Sequence, residues 1–337
     1  MIPSSLARLI VREHLYRPIE GSVLTLGRQT IQLDFDGTID LMQDEGYSPE
    51  AALLSAKDVK YDQETRKAQG EKFINDETFF GLLGVSDLHS MDVSAYEGAD
   101  FIHDLNDPVP ETLHERFDFI IDGGSFDHLI NLEAAFGSVM KMLKPGGRIL
   151  QWNGASNHTG AAYVSPGPDL FFDYYVLNKF VDCKVYIGEI DALDQSSMWD
   201  LYQFDGTTEI GHFLSERILT VIVLAEKGSK STTDQRPIQS YYRDENRRSG
   251  YSETIEMINR SARNSWTGHI PDEGALAKEK VRNVWINALK QIRKSVPKSV
   301  VDLVPLRRKA TISGVLSSAS PQTQVKDVSG YRYVGRV

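Results

Sequence analysis

The sequence predicts an α/β fold built on an open parallel sheet, and residues 117–151 are the main observation behind this prediction. A four-residue apolar core, made of Phe119, Ile120 and Ile121 with Phe117 before them, ends abruptly at Asp122-Gly123-Gly124. In the stretch that follows, apolar residues recur about every 3.6 residues, the period of one helix face. That helix should end at Pro145-Gly146-Gly147, since proline cannot continue a helix and glycine accepts a positive φ. A strand–helix–strand unit of this kind places its ligand crevice at the carboxyl ends of its strands.

Length and composition fit one large α/β domain with an extension. The 337 residues are 41% hydrophobic and 25% charged, which is ordinary for a soluble globular protein. No apolar run approaches the roughly 20 residues that cross a bilayer, and Ser5–Leu15 reads as a short amphipathic helix rather than a signal peptide. The single Cys183 excludes an internal disulfide. We therefore expect a cytoplasmic protein without a membrane partner.

Charge is divided unevenly along the chain. Residues 1–227 hold 17 Lys and Arg against 37 Asp and Glu, whereas residues 228–337 hold 20 against 10. The turn-rich segment 228–237 marks a boundary between a domain over 1–227 and a basic, partly helical extension. A long helix is expected at Pro271–Val296, and the residues from about Thr311 should be disordered or form an arm on a neighbour. The extension would pack on the acidic body or on a sister subunit in a homo-oligomer, and the acidic body disfavours nucleic acid.

The other elements follow from short apolar runs and from capping residues. Ile39–Glu45 predicts a helix, and Asn75–Leu83 predicts another that Asn75 or Asp76 would cap. The polar stretch Lys57–Gln69 predicts an exposed helix. The predicted strands are Gly21–Gly27, Leu88–Val93, Phe101–Leu105, Phe117–Asp122, Arg148–Asn153, Lys184–Glu189 and Leu219–Ala225.

The DGG turn and the LKPGG turn of residues 117–151 resemble the second half of the class I S-adenosylmethionine-dependent methyltransferases, of the small-molecule and glycan-modifying type. The resemblance covers about residues 20–227. It implies a seven-stranded, mostly parallel sheet with helices on both faces and a final antiparallel strand. It also implies S-adenosyl-L-methionine as cofactor and transfer of its methyl group to oxygen, nitrogen or sulfur of a small or medium polar acceptor.

The same resemblance implies where the cofactor would bind at the strand ends. Asp92, at the end of the second strand, would take the ribose hydroxyls, although it could instead cap a turn. Asp104 would meet the adenine amino group, with Leu105 against the ring. In the turn Asp122-Gly123-Gly124 the acid would face the cofactor through its side chain or its backbone, and the glycines would leave space for the sulfonium.

The first cofactor loop departs from the family pattern of an acid followed by Gly-x-Gly-x-Gly. Gly27 is kept, Thr25 stands in place of the acid, and Gln29 and Ile31 replace the later glycines. Arg28 could hold the methionyl carboxylate, because a guanidinium fork matches a carboxylate, or it could be an ordinary surface residue. A cofactor-binding but catalytically silent regulatory protein also fits this altered loop.

Residues just past the fourth and fifth strands would overhang the methyl group. His128 and His158 are the candidate bases, with Asp127 beside them, because a free histidine has a pKa of about 6.5 and accepts a proton at neutral pH. His128 could instead cap a helix, and His158 could be exposed in its polar loop. The spacing of the three residues follows no known ligand pattern, so no metal site is predicted.

A competing signature lies at Ile31–Ile39, which reads IQLDFDGTI. It resembles the nucleophile motif of haloacid-dehalogenase-like phosphatases, in which Asp34 would attack phosphorus and Asp36 would act as acid and base around Mg²⁺. Gln32 interrupts the buried strand that such a nucleophile needs. The favoured interpretation is a turn that leads into a helix.

Overall fold

A computed structural model describes residues 1–49, 59–191, 198–204, 213–239, 242 and 331–337. The chain divides into two compact units, one of residues 1–269 with 327–337 and one of residues 270–326. The second unit and the predicted helix Pro271–Val296 lie outside the described residues. Within the described ranges, no helix is both long and apolar enough to span a bilayer.

One sheet organises the first unit, and the part of the chain that the structure describes contributes nine strands to it instead of the predicted seven. The order across the sheet is β3-β2-β1-β4-β5-β8-β6-β7-β9. The seven predicted strands are all present, and β7 and β9 extend the sheet beyond β6 by antiparallel pairing. The strands are β1 Ser22–Leu26, β2 Asp87–Asp92, β3 Phe101–Ile102, β4 Phe117–Gly123, β5 Leu143–Ser156, β6 Asp182–Ile190, β7 Asp200–Phe204, β8 Ile218–Glu226 and β9 Tyr331–Arg336.

The pairing directions match the predicted architecture. The strands β1, β2, β3, β4 and β5 pair in parallel. The strand β8 lies between β5 and β6 and is antiparallel to both, so the expectation of a final antiparallel strand in the predicted set is confirmed. Along the whole sheet, β7 and β8 run against the other strands.

Helices cover both faces of the sheet, as predicted. Successive residues of β4 enter different cores: Ile120 packs in the core beneath α4 and α5, whereas Phe119 and Ile121 pack in the core beneath α1, α2 and α3. The period-two alternation of a strand produces this division. The helices are α1 Ser4–Tyr16, α2 Phe35–Asp44, α3 Asp76–Leu82, α4 Leu132–Met142 and α5 Pro168–Leu177.

The predicted exposed helix at Lys57–Gln69 is wrong for its described part. From residue 59 the backbone is irregular, with one short 3-10 turn at Arg66–Ala68. The carboxylate Oδ1 of Asp62 accepts hydrogen bonds from the N–H groups of Glu64 at 3.1 Å and Thr65 at 3.0 Å. Such local bonds offer the backbone an alternative to a helix. We call residues 59–75, which lead into α3, the 59–75 segment.

The final strand β9 belongs to the chain's own sheet, although disorder or an arm on a neighbour was expected there. Val337 and Trp199 exchange backbone hydrogen bonds of 3.1 and 2.7 Å. Arg336 donates to the carboxylate of Asp200 at 2.5 and 2.9 Å, and Ser5 Oγ donates to Val337 O at 2.7 Å. Part of the predicted extension is therefore sheet, and the boundary at residue 228 stays a prediction.

Candidate active site

The strand order reverses between β1 and β4. From β1 the chain builds β2 and β3 on one side, and β4 and β5 follow on the other side. In open α/β sheets, ligands bind outside the carboxyl ends of the strands at such a reversal. Gly27 directly follows β1, and Gly123 is the last residue of β4. The topology thus selects these two glycines as the centre of the candidate site.

Side chains from three loops meet around Gly27. A Cβ atom built on Gly27 would lie 3.6 Å from Asp92 Oδ2, 3.8 Å from Gln29 Nε2 and 3.8 Å from Ser125 Oγ. The φ of Gly27 is +74°, a conformation that glycine adopts without steric cost. Ser125, one of the residues past the fourth strand that were expected to overhang the methyl group, also donates to Leu26 O at 2.8 Å and so joins the loops after β1 and β4. The structure therefore brings together Gly27, Gln29 and Asp92.

Asp92 lies at the carboxyl end of β2 and is half-buried. Its Oδ1 accepts a hydrogen bond from Ser94 N at 3.2 Å, which is the turn-capping role foreseen as an alternative. Its Oδ2 is the oxygen close to Gly27. One carboxylate can thus cap the turn with one oxygen and offer the other to a ligand.

Gln29 fills the gap between the loops after β1 and β4. Its Nε2 donates to Leu26 O at 2.7 Å and to Gly27 O at 3.2 Å, and its buried Oε1 has no hydrogen-bond donor. A Cβ on Gly123 would overlap this amide. The ammonium of Met1 donates to Gly123 O at 2.9 Å on the same side. Gly123 therefore allows Gln29 and Met1 of the same chain to approach the end of β4 closely.

The side chain of Asp122 is fully buried and points into the protein. Its Oδ1 accepts from the N–H groups of Gly124 at 3.2 Å and Ser125 at 2.6 Å. Its Oδ2 accepts from Asn153 Nδ2 at 2.7 Å and Gln151 Nε2 at 3.3 Å. Burial raises the pKa of Asp122 to about 6, against the opposing effect of these hydrogen bonds. Asp122 shapes the turn, and the backbone of that turn lies at the carboxyl edge.

This pKa predicts a pH dependence of stability that Asp122→Asn should remove. Because the pKa of Asp122 is about 6 in the folded protein and 3.8 in its reference state, the folded state binds the proton more tightly between these values. The free energy of unfolding of the wild type should therefore fall, relative to the variant, as pH rises from about 4 to about 7, by up to about 3 kcal/mol. Urea unfolding across this range measures the difference. A constant difference would contradict the assignment.

The adenine side of the predicted site is more open. Asp104 is exposed, and its Oδ1 accepts from Asn106 N at 2.9 Å and Nδ2 at 2.8 Å, which lowers its pKa. Leu105 is buried. Asn106 Oδ1 in turn accepts from the N–H groups of Ile130 and Asn131, before α4. Asp104 is not among the side chains nearest Gly27.

Asp127, His128 and His158 converge after β4 and β5. Asp127 is 7% exposed, and its Oδ2 accepts from Gly154 N at 3.0 Å. Its Oδ1 is buried without a donor, since His128 Nε2 is 3.7 Å away, too far for a hydrogen bond. A Cβ on Gly154 would lie 3.4 Å from both Asp127 Oδ2 and His158 Nδ1, so these two side chains are neighbours. His158 is half-buried, and His128 is exposed in a 3-10 turn.

Arg28 is not an ordinary surface residue, because only 10% of its side chain is exposed. Its Nη2 lies 3.0 Å from Asp76 Oδ1 and 3.1 Å from Glu64 Oε2. The sequence did not predict either partner. Glu64 belongs to the 59–75 segment and Asp76 to the first turn of α3, and both are distant from Arg28 along the chain.

The phosphatase motif takes a structural role. Asp34 is the N-cap of α2, and its Oδ1 accepts from Gly37 N at 2.8 Å, so the predicted turn into a helix is present. The helix begins at Phe35 rather than Ile39 because of this cap. Asp36 is exposed in the first turn. Among the described residues, no group of three or more His, Cys, Asp and Glu is placed to hold a metal ion.

Two cavities lie away from these residues. One of about 350 Å³ is lined by Gly21, Asp118 and Gly146 at the amino ends of β1 and β4. The other, of about 450 Å³, lies between α4, α5 and residues 233–237. Neither cavity is lined by Gly27 or by the three side chains around it. The topology and the converging polar side chains, rather than cavity size, therefore identify the candidate site.

No protein-family model matches the chain, and no curated protein sequence matches it. Among solved structures it is similar to a methyltransferase from Thermotoga maritima, at 13% identity and a TM-score of 0.33, over 67% of this chain and 90% of that one. An Archaeoglobus fulgidus methyltransferase is 11% identical with a TM-score of 0.33, over 66% and 94%. The 1,6-didemethyltoxoflavin-N1-methyltransferase of Burkholderia thailandensis, with bound S-adenosylhomocysteine, is 12% identical with a TM-score of 0.28, over 66% and 78%. The first two are described as S-adenosylmethionine-dependent. Identities of 11–13% and TM-scores of 0.28–0.33 carry no functional argument for this chain.

Proposed function

We propose that this protein is an S-adenosylmethionine-dependent methyltransferase that acts on a small or medium polar acceptor. The observation that carries the proposal is the meeting of Gly27, Asp92, Gln29 and Ser125 at the reversal of strand order. A glycine next to an acid at the end of the second strand suits a nucleoside, whose ribose diol needs a hydrogen-bond acceptor. The antiparallel β8 between β5 and β6 agrees with the architecture that the sequence resemblance implied.

The residues present fit this cofactor. Asp92 would accept hydrogen bonds from the ribose hydroxyls, and Gly27 leaves the space that a Cβ would fill. Gln29 would shape the loop beside Gly123, and Arg28 would bind the methionyl carboxylate through its fork. Asp104 would meet the adenine with Leu105. When bound, the cofactor supplies a methyl group activated by a sulfonium.

The acceptor would bind beside Asp127. The buried Oδ1 of Asp127 can accept a hydrogen bond but has no donor, and an unpaired buried polar group of this kind costs about 1–3 kcal/mol. An O–H or N–H group of the methyl acceptor would donate to this oxygen. His158, next to Asp127 across Gly154, would take the proton that such an acceptor releases, and the more exposed His128 would be the second base.

Methyl transfer from labelled S-adenosylmethionine to a panel of hydroxy, amino and thio compounds tests the proposed function. We expect label in at least one acceptor with a free O–H, N–H or S–H group. Cofactor binding without transfer to any of them would instead favour the silent regulatory protein. Hydrolysis of a phosphate ester that Asp34→Asn abolishes would establish the phosphatase interpretation.

We expect His158→Ala to lower turnover by about 10²-fold or more and to leave the affinity for S-adenosylhomocysteine unchanged, since a positioned base contributes about 10²–10⁴-fold. His128→Ala should have a smaller effect because its ring is farther from Asp127 Oδ1 than a hydrogen bond allows. His103→Ala is the control, because its ring faces Asp107 O at 3.2 Å after β3. Full turnover in both variants would exclude these histidines as bases.

A further inference from the structure

Arg28 is one guanidinium shared by two carboxylates, and the two differ in burial. The side chain of Asp76 is 3% exposed, whereas that of Glu64 is 58% exposed. Asp76 is also fixed by the N–H groups of Gln29 at 3.4 Å and Glu77 at 3.0 Å. Asp76 is therefore the buried and more firmly held partner of Arg28, and Glu64 is the exposed one.

The contact between Arg28 and Glu64 leaves at least one N–H donor of the guanidinium without an acceptor. Nη2 serves both carboxylates, while the buried Nε has no acceptor. A carboxylate normally binds such a fork through two parallel hydrogen bonds. An exposed ion pair through one nitrogen is a weak contact. A ligand carboxylate that also reached Nε would make the stronger contact.

Glu64 also lies on the side where the cofactor would bind. A Cβ on Gly98, in the loop after β2, would be 3.3 Å from Glu64 Oε2. The same β2 provides Asp92, which is close to Gly27. Glu64 therefore stands between the loop after β1, which contains Arg28, and the loop after β2.

We infer that Arg28 is a carboxylate subsite that Glu64 occupies in the free protein, and that the amino-acid end of the cofactor displaces Glu64 on binding. This inference rests on the proposed function. Because like charges repel, a third carboxylate beside the single positive charge of Arg28 favours the departure of one of the first two, and Glu64 is the exposed and weakly held one. Glu64 thus acts as an internal competitor that lowers the affinity for ligands with a carboxylate, and for no others.

Isothermal titration calorimetry with two nucleosides tests the inference on the full chain. S-adenosylhomocysteine has the amino-acid end, and 5′-methylthioadenosine has the same nucleoside without it. Glu64→Gln should tighten binding of S-adenosylhomocysteine by about two- to five-fold, which corresponds to the worth of an exposed ion pair. It should leave binding of 5′-methylthioadenosine unchanged. Glu77→Gln is the matched control, because Glu77 is 49% exposed and pairs with Lys60 of the same segment.

Arg28→Lys provides a second variant that keeps a positive charge beside the buried Asp76 and removes the fork. It should weaken binding of S-adenosylhomocysteine about ten-fold, and Glu64→Gln should tighten that binding less when Arg28 is already replaced. Equal changes for both nucleosides, or the same change in Glu77→Gln, would overturn the inference while the proposed function stands. Absence of binding of either nucleoside to the wild type would overturn the proposed function and the inference with it.

Discussion

Replacement of Asp122 by alanine should lower the free energy of unfolding by about 3–5 kcal/mol and abolish cofactor binding. The buried carboxylate accepts hydrogen bonds from two backbone N–H groups of the turn and from the amides of Gln151 and Asn153. Alanine leaves these four donors without their acceptor, and each unpaired buried group costs about 1–3 kcal/mol before the site relaxes. The turn that lies beside Gly27 would lose its shape. Urea unfolding of wild type and variant measures the loss.

Asp118→Ala is the matched control for this prediction. Asp118 lies near the other end of β4 and accepts from Lys144 Nζ at 2.7 Å and Ser22 N at 2.8 Å. Its side chain is 38% exposed, so water can replace the lost contacts, and we expect a loss of at most about 1 kcal/mol. Equal losses in the two variants would show that Asp122 has no special part in holding the turn.

Asp92→Ala should weaken binding of S-adenosylhomocysteine by about 1–3 kcal/mol, or roughly 5- to 150-fold, with little effect on the stability of the fold. A charge-assisted hydrogen bond to the ribose hydroxyls would account for this range. The side chain is half-buried, and Ser94 N, at 3.2 Å, is in an exposed turn. Calorimetric titration of the variant gives the affinity, and thermal unfolding checks that the variant is folded.

Asp87 offers a control on the same strand. It begins β2, at the end opposite to Asp92, and its side chain is 57% exposed. Asp87→Ala removes the same charge from the same strand but should leave the affinity for S-adenosylhomocysteine unchanged. If both variants weaken binding equally, the effect is one of overall charge, and Asp92 does not contact the ribose.

Much of the sheet could be predicted because its signals are local. The apolar residues Phe119–Ile121 and the glycine motifs on either side of α4 define a strand–helix–strand unit without information from elsewhere in the chain. Asp92 could be found for the same reason, since it directly follows an apolar strand. The turn at Asp34 could be predicted in the same way, from the spacing between Asp34 and Gly37.

The rest depends on contacts between distant residues. The residues near Arg28 in the sequence contain no pattern that predicts Glu64 or Asp76 as its ion-pair partners. The inward orientation of the Asp122 side chain follows from Gln151 and Asn153 on the neighbouring strand. Two arginines and a glycine interrupt the apolar residues of β9, and the strand is stabilised by pairing with β7, so its own sequence gives a weak signal.

The central claim is that the carboxyl edge of the sheet around Gly27 binds a nucleoside cofactor. A crystal structure of the protein with S-adenosylhomocysteine tests it most directly. We predict ribose hydroxyls within hydrogen-bond distance of the Asp92 carboxylate and the nucleoside against Gly27. A nucleoside seated in the cavity between α4, α5 and residues 233–237, with Asp92 free of contact, would contradict the claim.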